Sequence, residues 1–288
     1  MSTRPPIALS IAGTDPSGGA GIHADLKTFT ARGVLGTTAI TALVAQNTHG
    51  VSRVYPIDDD FVSDQLDSVL GDMPVDATKS GMLSTRSLVE LVAERADRGE
   101  LGFFTVDPVM VATSGHRLLD LDAVDAVRHR LLPVADLITP NLPEAALLLG
   151  DDVPVAESPA QMLKQAEQLL ARGPRAVLLK GGHASDGDVA DVLVSSEGVI
   201  AEFSHPRVAT ANTHGTGCTL SAAITAEVAV LRRERAADEV GAELLREAVE
   251  NGLEYLARAL RSAADWQVSL DPEGAHGPVD HQVDIVRR

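Results

Sequence analysis

Short, mostly apolar runs alternate with longer amphipathic segments along most of the chain. The run at residues 7–13 (IALSIAG) predicts a strand, and residues 20–33 (AGIHADLKTFTARG) repeat apolar positions with the period of a helix. A strand at 37–46 (TTAITALVAQ) and a helix at 61–73 (FVSDQLDSVLGDM) follow in the same way. The alternation continues with strands at 75–82, 102–110, 136–141 and 176–182 and with helices at 85–99, 122–135, 142–150 and 160–173.

The order strand, helix, strand predicts parallel pairing through right-handed crossovers, with helices on both faces of the sheet. Residues 188–208 instead predict two or three antiparallel strands at one edge, and two long helices follow them. We therefore expect an α/β fold of three layers, with a mostly parallel central sheet and a short antiparallel edge. No linker or change of composition divides the chain, so we expect a single domain over residues 1–288.

Charge and cysteine usage narrow the choice of partners and location. The chain has 24 basic and 41 acidic residues, a formal net charge of -17, and only 3% aromatic residues. Such a surface repels nucleic-acid backbones and anionic lipid and offers few rings for base stacking, so we expect no nucleic-acid or membrane partner. A single cysteine forms no intrachain disulfide, and the N-terminal apolar stretch of six residues is too short for a signal peptide, which favours the cytoplasm.

Two common nucleotide-binding motifs do not fit the glycine-rich segments. Residues 19–24 (GAGIHA) match G-x-G-x-x-A, but no acidic residue lies between Asp25 and Asp58 to hold a ribose hydroxyl. A P-loop is also absent, because the chain contains no Gly-Lys pair. These glycines indicate either a close approach of the backbone to a small ligand or a tight turn between strand and helix.

Residues 212–224 (NTHGTGCTLSAAI) combine a turn containing two glycines with the start of an apolar helix. Such a turn directs unpaired backbone N–H groups and the positive end of the helix dipole at one point, which makes an anion site; a plain helix cap is the alternative. Cys218, the only cysteine, lies at this junction. The dipole predicts that its thiolate is favoured, whereas many free cysteines are small buried apolar residues.

Polar or unusual side chains follow most of the predicted strands. They are Asp15, Gln46, Met82, Asp107, Asn141 and Lys180. Ligands of open parallel sheets bind beyond the carboxyl ends of the strands, so we expect these residues to converge on one rim. Lys180 stands out because the chain contains only four lysines.

Several long blocks resemble the hydroxymethylpyrimidine/phosphomethylpyrimidine kinases of thiamine biosynthesis, members of the ribokinase-like superfamily. These blocks are SIAGTDPSGGAGIHADLKTF, ITALVAQNTHGV, TKSGML, DPVM, LITPNLPEAALLLG, LLKGGH and NTHGTGCTLSAAI, and the likeness extends to GPVDH near the C-terminus. The resemblance implies a ribokinase-like fold and a kinase that uses ATP and Mg²⁺. It also implies a homodimer, since members of the family are commonly dimers.

The resemblance implies a role for each matching residue. The pyrimidine pocket would be formed by Gly13, Ala20, Asp25, Gln46, Met82 and Val109. The nucleotide would contact Lys180, Asn141, Thr213, His214, Gly215, Thr216 and Gly217. The groups implied in catalysis are Cys218, Lys180, Gly215 and Gly217, and the implied metal residues are Asp107 and Glu144.

Chemistry supports some of these roles and leaves others open. The side-chain amide of Gln46 offers a donor and an acceptor side by side, which suits an aminopyrimidine. Magnesium often needs only one or two carboxylates besides phosphate oxygens and water. Glu144 is alternatively a carboxylate in the first turn of a helix, where it opposes the dipole, and Asp25 is alternatively a solvated helix carboxylate.

Cys218 stands where the wider superfamily usually has an aspartate as catalytic base. The resemblance implies two transfers at one site, first to a hydroxymethyl group and then to the resulting monophosphate. An aspartate would repel that second acceptor by about 4 kcal/mol per unit charge at an effective dielectric constant of about 20. We hypothesise that Cys218 serves the neutral alcohol as a thiolate base and accepts the phosphate as a neutral thiol.

Three other functions stay open on the sequence. A pyridoxal-type vitamin kinase is one, because pyridoxine also carries a hydroxymethyl arm on a ring. A hydrolase or acyltransferase with Cys218 as nucleophile and His214 as base is the second. The third is a non-catalytic pyrimidine sensor, against which the presence of Lys180, Glu144 and the Gly-Thr-Gly turn argues.

Overall fold

Eight strands form the central sheet of the structure, a computed structural model that describes residues 4–110, 121–181, 189–237 and 239–285. The described residues contain ten strands in all, which are β1 (Ile7–Ala12), β2 (Leu35–Ile40), β3 (Ala42–Asn47), β4 (Gly50–Pro56), β5 (Ala77–Ser80), β6 (Phe103–Val106), β7 (Leu137–Ile138), β8 (Ala176–Lys180), β9 (Val189–Ser195) and β10 (Gly198–His205). The central sheet has the order β10-β9-β8-β7-β6-β5-β1-β2, and β3 and β4 form a separate two-stranded sheet.

Helices cover both faces of this sheet. They are α1 (Gly21–Ala31), α2 (Asp59–Leu70), α3 (Arg86–Asp97), α4 (Leu121–Ala126), α5 (Leu142–Leu149), α6 (Pro159–Leu170), α7 (Thr216–Glu234) and α8 (Ala242–Ala263). A π-helical turn (Val127–Leu131) and a 3₁₀ turn (Leu132–Val134) continue from α4. Within the described ranges, none of the helices is both long enough and apolar enough to cross a bilayer.

The pairing confirms the predicted mostly parallel sheet with an antiparallel edge. In the central sheet, β2, β1, β5, β6, β7 and β8 pair in parallel with their neighbours in that order, whereas β9 pairs antiparallel with both β8 and β10. All six residues of β1 are buried, as expected for a strand covered on both faces. Leu9 and Ile11 join the core under α2 to α6, whereas Ala8 packs with Phe29 of α1 and residues of α7 on the opposite face.

The strand expected at residues 37–46 is divided in two, which corrects that prediction. The chain leaves the central sheet at Thr41, whose N–H donates to the Ala12 carbonyl and whose hydroxyl donates to the Met82 carbonyl at 2.8 Å. Beyond Thr41, β3 and β4 pair antiparallel and form a hairpin, which the sequence pattern did not reveal. The hairpin stands over the end of β1, because Thr14 Oγ1 accepts from the Val44 N–H at 2.9 Å.

The predicted pair of long C-terminal helices is confirmed, and α7 is central to one face. Twelve residues of α7 are buried, because the helix lies against the sheet and also contacts α1 and α8. A Cβ at Gly252 would lie 2.8 Å from Cγ1 of Ile224, so a glycine permits α8 to approach α7 closely there.

The segment after α8 returns to the beginning of α7. The Tyr255 hydroxyl donates to the His281 carbonyl at 2.8 Å, and Nε2 of His281 lies 3.0 Å from Oγ1 of Thr219. Asp284 is paired with Arg258 and Arg32, at 2.7 Å and 2.8 Å respectively. The last described residues are therefore part of the support for the N-terminal turn of α7.

His281 predicts an acid-sensitive contribution to stability. Burial, assisted by the charge of Lys27, lowers the pKa of His281 from 6.5 to about 4. Above pH 6.5 the imidazole is neutral in both states; as the pH falls from 6.5 towards 4 only the unfolded chain takes up the proton, which favours unfolding. We expect the free energy of unfolding to fall by roughly 3 kcal/mol across this window through this group.

Denaturant titrations of the wild type and His281→Gln at a series of pH values measure this contribution. Glutamine keeps a nitrogen near Thr219 but has no titrating group, so its stability should decline less over the same window. Parallel pH profiles for the two proteins would contradict the assignment.

Candidate active site

The carboxyl ends of the parallel strands meet the N-terminus of α7 at one edge of the sheet. A Cβ at Gly217 would lie 3.5 Å from Nζ of Lys180 and 3.8 Å from Oδ2 of Asp107, so the first turn of α7 faces both side chains. Asn141 forms an isolated parallel bridge with Lys180. The structure thus brings together the expected rim residues that follow β6, β7 and β8.

Gly215 fixes how closely this helix end approaches the loop after β1. It is the N-cap of α7 with a φ of 77°, and a Cβ there would lie 1.8 Å from the carbonyl oxygen of Gly19. Another residue would therefore be both strained and in collision with backbone. In the same loop, Gly21 has a φ of 56° and its Cβ would lie 2.2 Å from the Gly13 carbonyl. The loop and the turn fit together because both lack side chains at these points.

Asp107 and Lys180 form the charged part of the site. Oδ1 of Asp107 lies 3.5 Å from Nζ of Lys180 and 3.4 Å from the hydroxyl of Thr139, and its Oδ2 accepts from the Ser221 hydroxyl at 3.2 Å. Burial disfavours the charge of Lys180, but Asp107 and Glu144 outweigh that effect and raise the pKa of the ammonium group. A charged lysine at this point suits an anionic ligand.

Glu144 lies in the first turn of α5, where it forms a capping box with Asn141. The Asn141 N–H donates to Oε2 of Glu144 at 2.8 Å, and the Glu144 N–H donates to Oδ1 of Asn141 at 2.9 Å. Burial raises the pKa of Glu144 to about 7, even though Lys180 opposes the shift. The helix-end role weighed from the sequence is therefore present, and a carboxylate with a raised pKa would gain from a nearby cation.

The carboxylate oxygens of Asp107 and Glu144 suit magnesium better than they suit softer metals. The part of the chain that the structure describes contains no group of three or more His, Cys, Asp or Glu residues arranged to hold a metal ion. Two carboxylates are enough for a magnesium ion that also binds phosphate oxygens and water.

A buried ion pair lies beneath the site. Nζ of Lys79, in β5, is 3.1 Å from Oδ2 of Asp25, and both side chains are fully buried. Burial works against the charged lysine, but the adjacent carboxylate raises its pKa. Asp25 also accepts from the Ser10 hydroxyl at 2.5 Å, so it is not the solvated carboxylate considered from the sequence. Both of its oxygens are engaged within the protein, by Ser10 and Lys79.

Sequence analysis assigned no role to Lys79. Its charge interacts with Cys218, and a Cβ at Gly81 would lie 3.0 Å from its Nζ, which places it under the substrate loops. One feature of the sequence could have identified it. Lys79 is one of only four lysines, and it lies in a predicted strand that runs on into Gly81 and Met82.

Cys218 lies in the first turn of α7, partly exposed. Desolvation by the surrounding protein raises the pKa of its thiol from 9.0 to about 11. The charges of Asp107 and Asp25 act in the same direction, and together these effects outweigh Lys79 and a hydrogen bond from Gly21. This corrects the expectation of a favoured thiolate. The dipole argument neglected the cost of desolvation and two neighbouring carboxylates.

The hairpin and the loop after β1 form the other side of the site. A Cβ at Gly13 would lie 2.5 Å from Cε of Met82 and 3.7 Å from Cγ2 of Val44. Gln46 belongs to β3 and reaches the site from the hairpin, not from the end of a strand of the central sheet as expected. Val109 lies just beyond Asp107, to whose carbonyl it donates at 2.8 Å, and is partly exposed.

The loop before α7 contacts this side as well. Nε2 of His214 lies 2.8 Å from Oδ2 of Asp15 and 3.3 Å from Nε2 of Gln46. Ala20, the N-cap of α1, donates to the same Asp15 oxygen at 2.7 Å. Thr213 is joined to the turn through its carbonyl, which accepts from the Thr216 N–H at 3.3 Å.

Comparison with known proteins agrees with this architecture. The sequence model of the family described as phosphomethylpyrimidine kinase matches residues 15–278. A hydroxymethylpyrimidine/phosphomethylpyrimidine kinase of Salmonella typhimurium is 58% identical over 219 residues, which are 76% of this chain and 81% of that protein. A phosphomethylpyrimidine kinase structure from Clostridium difficile has a TM-score of 0.72 and 36% identity, covering 88% of this chain and 99% of that one. The Staphylococcus aureus pyridoxal kinase, solved with AMP-PCP and pyridoxal, has a TM-score of 0.81 and 31% identity, covering 96% of this chain and 93% of that one.

In this chain the ends of a mostly parallel sheet face a glycine turn and a helix N-terminus. This architecture, with the likeness to these relatives, defines a small-molecule phosphotransferase of ribokinase-like fold. The resemblance seen in the sequence is confirmed on this point. The chain belongs to the phosphomethylpyrimidine kinase family.

The raised pKa of Cys218 predicts slow alkylation at neutral pH. Because the thiolate is the reactive form, a thiol with a pKa of about 11 should react with iodoacetamide about 100-fold more slowly near pH 8 than an unperturbed cysteine. The rate should rise about tenfold per pH unit up to about pH 10. Mass spectrometry follows the reaction without ambiguity, since Cys218 is the only cysteine.

Cys218→Ser, which should take up no label at cysteine, is the matched control. A labelling rate that levels off below pH 9 would show that the thiol is not shifted upward.

Proposed function

We propose that this protein is an ATP-dependent kinase of thiamine biosynthesis that phosphorylates 4-amino-5-hydroxymethyl-2-methylpyrimidine to its monophosphate and then to the diphosphate. The observation that carries this proposal is the turn Gly215–Gly217, which directs the N-terminus of α7 and Cys218 at the space bordered by Asp107 and Lys180. Backbone N–H groups, a helix end and one lysine are the equipment that phosphoryl transfer requires. The substrate is supported by the Salmonella relative.

The phosphate side of the site is assigned to the α7 turn and the β7 and β8 strand ends. The N–H groups of Gly215 and Gly217 and the Lys180 ammonium would bind the ATP phosphates. Thr213, His214 and Thr216, whose N–H groups donate to carbonyls of the protein, would line the same corner, which Asn141 would order. The kinase family and the AMP-PCP complex of the pyridoxal kinase support ATP as the phosphate donor.

Magnesium is part of the proposal. Asp107 and Glu144 would hold it, directly or through water, beside the phosphates. When bound, the ion neutralises charge on the phosphate oxygens. The raised pKa of Glu144 supports this assignment, because desolvation disfavours its charged form and a bound cation would compensate that cost.

The pyrimidine side of the site is assigned to the β1 loop, the hairpin and the residues after β5 and β6. Gly13, Ala20, Met82 and Val109 would surround the ring, and Gln46 would hydrogen-bond to its edge. In the first transfer Cys218 would lie beside the hydroxymethyl group. With the pKa of its thiol at about 11, the neutral form predominates at physiological pH and tolerates the phosphate of the second acceptor.

A pyridoxal-type kinase is the second candidate. The specific observation in its favour is the structural likeness to a pyridoxal kinase that was solved with pyridoxal bound. The ratio of kcat/KM for hydroxymethylpyrimidine to that for pyridoxal decides between them, and the first candidate requires that ratio to exceed one.

The thiol hydrolase considered from the sequence receives no support from the geometry. His214 Nε2 is engaged with Asp15 and Gln46, and among the described residues no hydrogen bond joins His214 to Cys218. A nucleophilic thiol also needs a base in reach and an accessible thiolate, whereas burial keeps this thiol protonated.

The direct test is incubation of the purified protein with hydroxymethylpyrimidine and Mg-ATP, followed by mass spectrometry of the product. We expect the addition of one and then two phosphates, each accompanied by one ADP, and loss of both steps when EDTA removes the metal. Hydrolysis of ATP without a phosphorylated pyrimidine would contradict the proposal.

Cys218→Asp separates the two steps. The new carboxylate would lie close to the acceptor phosphate and repel it by about 4 kcal/mol per unit charge, so we expect kcat/KM for the monophosphate to fall by roughly 100-fold or more. Phosphorylation of the neutral alcohol should fall much less. Monophosphate turnover equal to that of wild type would refute this role of Cys218, and Cys218→Ser, which adds no charge, is the control.

We also propose that the enzyme is a cytoplasmic homodimer whose whole chain forms one kinase domain. The outer surface of the hairpin supports a dimer, because Leu43 and Tyr55, paired across β3 and β4, are 47% and 59% exposed. The net charge of -17 supports the absence of nucleic-acid partners. Sedimentation velocity of the purified protein measures the subunit number.

A further inference from the structure

Thr14 joins the loop after β1 to the hairpin through both its backbone and its side chain. Its N–H donates to the Ala42 carbonyl at 2.9 Å, and its hydroxyl oxygen accepts from the Val44 N–H at 2.9 Å. These two bonds follow the pattern of a parallel strand pair, in which a residue donates to the residue before its partner and accepts from the residue after it. The acceptor in such a pair is normally a backbone carbonyl, and here the Thr14 hydroxyl takes its place.

The backbone of this loop also has to begin α1. The Gly13 carbonyl accepts from the Ile22 N–H at 3.0 Å, and a Cβ at Gly21 would lie 3.5 Å from the carbonyl carbon of Thr14. The backbone at residues 13–14 therefore lies against the start of α1, and the hydroxyl is the group of Thr14 that accepts from Val44.

The hairpin is held by little apolar packing. In the described residues, its inner side forms a small cluster that is separate from the main core. The members of this cluster are Ala42, Val44, Val51, Val54 and Met82. The tip of the hairpin is tied at a different place, where the His276 N–H donates to the Thr48 carbonyl at 2.7 Å. Because little apolar surface holds the hairpin, the position of β3 depends strongly on its hydrogen bonds to Thr14.

The side of β3 that Thr14 holds is the side that faces the site. Burial alternates along β3, and Val44 and Gln46 lie on its less exposed side. A Cβ at Gly13 would lie 3.7 Å from Cγ2 of Val44, so this side contacts the loop after β1. Val44 is only 8% exposed, so water would not readily replace the hydroxyl as acceptor of its N–H.

We propose that Thr14 is a positioning residue whose hydroxyl holds β3 against the loop after β1 and so sets the place of Val44 and Gln46 in the pyrimidine pocket. This inference rests on the proposed function, in which the hairpin contacts the ring. Thr14 acts through the strand and not on the substrate. The phosphate side of the site, at the turn before α7 and at Lys180, does not depend on this bond.

Thr14→Val tests the proposal, because valine keeps the shape of threonine and removes only the acceptor. We expect the dissociation constant of 4-amino-5-hydroxymethyl-2-methylpyrimidine to rise about tenfold and kcat/KM for it to fall by a similar factor. The KM for ATP should stay within about twofold of wild type. Thr14→Ser restores the hydroxyl and should keep the pyrimidine dissociation constant within about threefold of wild type.

Hydrogen exchange followed by mass spectrometry reads the bond itself. The amide of Val44 should exchange about tenfold faster or more in Thr14→Val than in wild type or Thr14→Ser, whereas peptides from α7 should be unchanged. Thr30→Val is the matched control, since the Thr30 hydroxyl is exposed on α1 and donates to the Leu26 carbonyl. This control should change neither the exchange of Val44 nor the affinity for the pyrimidine.

A merely structural role for Thr14 gives a different result. Thr14→Val would then lower the free energy of unfolding or raise the KM of both substrates equally, with no selective loss of pyrimidine affinity, which would overturn the proposal. If Thr14→Val does not fold, Thr14→Ala, which also lacks the hydroxyl, is compared with Thr14→Ser in its place.

Calorimetry without ATP separates this inference from the proposed function. A wild-type protein that binds the pyrimidine without phosphorylating it refutes the kinase assignment, and the dissociation constants of Thr14→Val and Thr14→Ser still decide the role of Thr14. A wild-type protein that phosphorylates the pyrimidine, with unchanged affinity in both Thr14→Val and Thr14→Ala, refutes only the positioning role.

Discussion

Two backbones that touch at Gly19 and Gly215 determine the arrangement of the site. A Cβ at Gly215 would lie 1.8 Å from the Gly19 carbonyl oxygen, and one at Gly19 would lie 2.4 Å from the ring of His214. Because of this contact, the loop that follows β1 and the turn that begins α7 have one relative position. Phosphoryl transfer depends mostly on placing acceptor and donor correctly, so a fixed distance between the two halves is itself a catalytic contribution.

Charge within the site is balanced in pairs that lie at different depths. Lys79 and Asp25 are completely buried beneath it, whereas Lys180, whose side chain is 13% exposed, lies at a strand end beside the buried Asp107. The thiol between these pairs is neutral, because burial and the carboxylates together exceed the effect of the lysines. On the proposed function, the site would offer positive charge to phosphates while the group proposed to lie beside the acceptor stays uncharged, which an aspartate at position 218 would not do.

Much of the fold could be predicted because central strands such as β1 and β8 are apolar and buried on both faces and the helices are amphipathic. The hairpin was missed because β4 carries Ser52 and Arg53 and is largely exposed, so its pattern does not indicate a buried strand. The convergence of Asp107, Asn141 and Lys180 followed from parallel topology, but the buried partner of Lys79 depends on packing that sequence does not show. The wrong expectation for the Cys218 thiolate has the same origin, since desolvation depends on neighbours that are distant in sequence.

The return of the chain after α8 has a consequence for how the enzyme is made. The His214 N–H donates to the Gly277 carbonyl at 3.0 Å, and His281 is within hydrogen-bonding distance of Thr219, so the turn that begins α7 is held by residues synthesised some sixty positions later. A nascent chain on the ribosome can already contain every strand of the sheet and still lack this support. The support of this turn is therefore complete only once translation has passed the residues around Gly277 and His281.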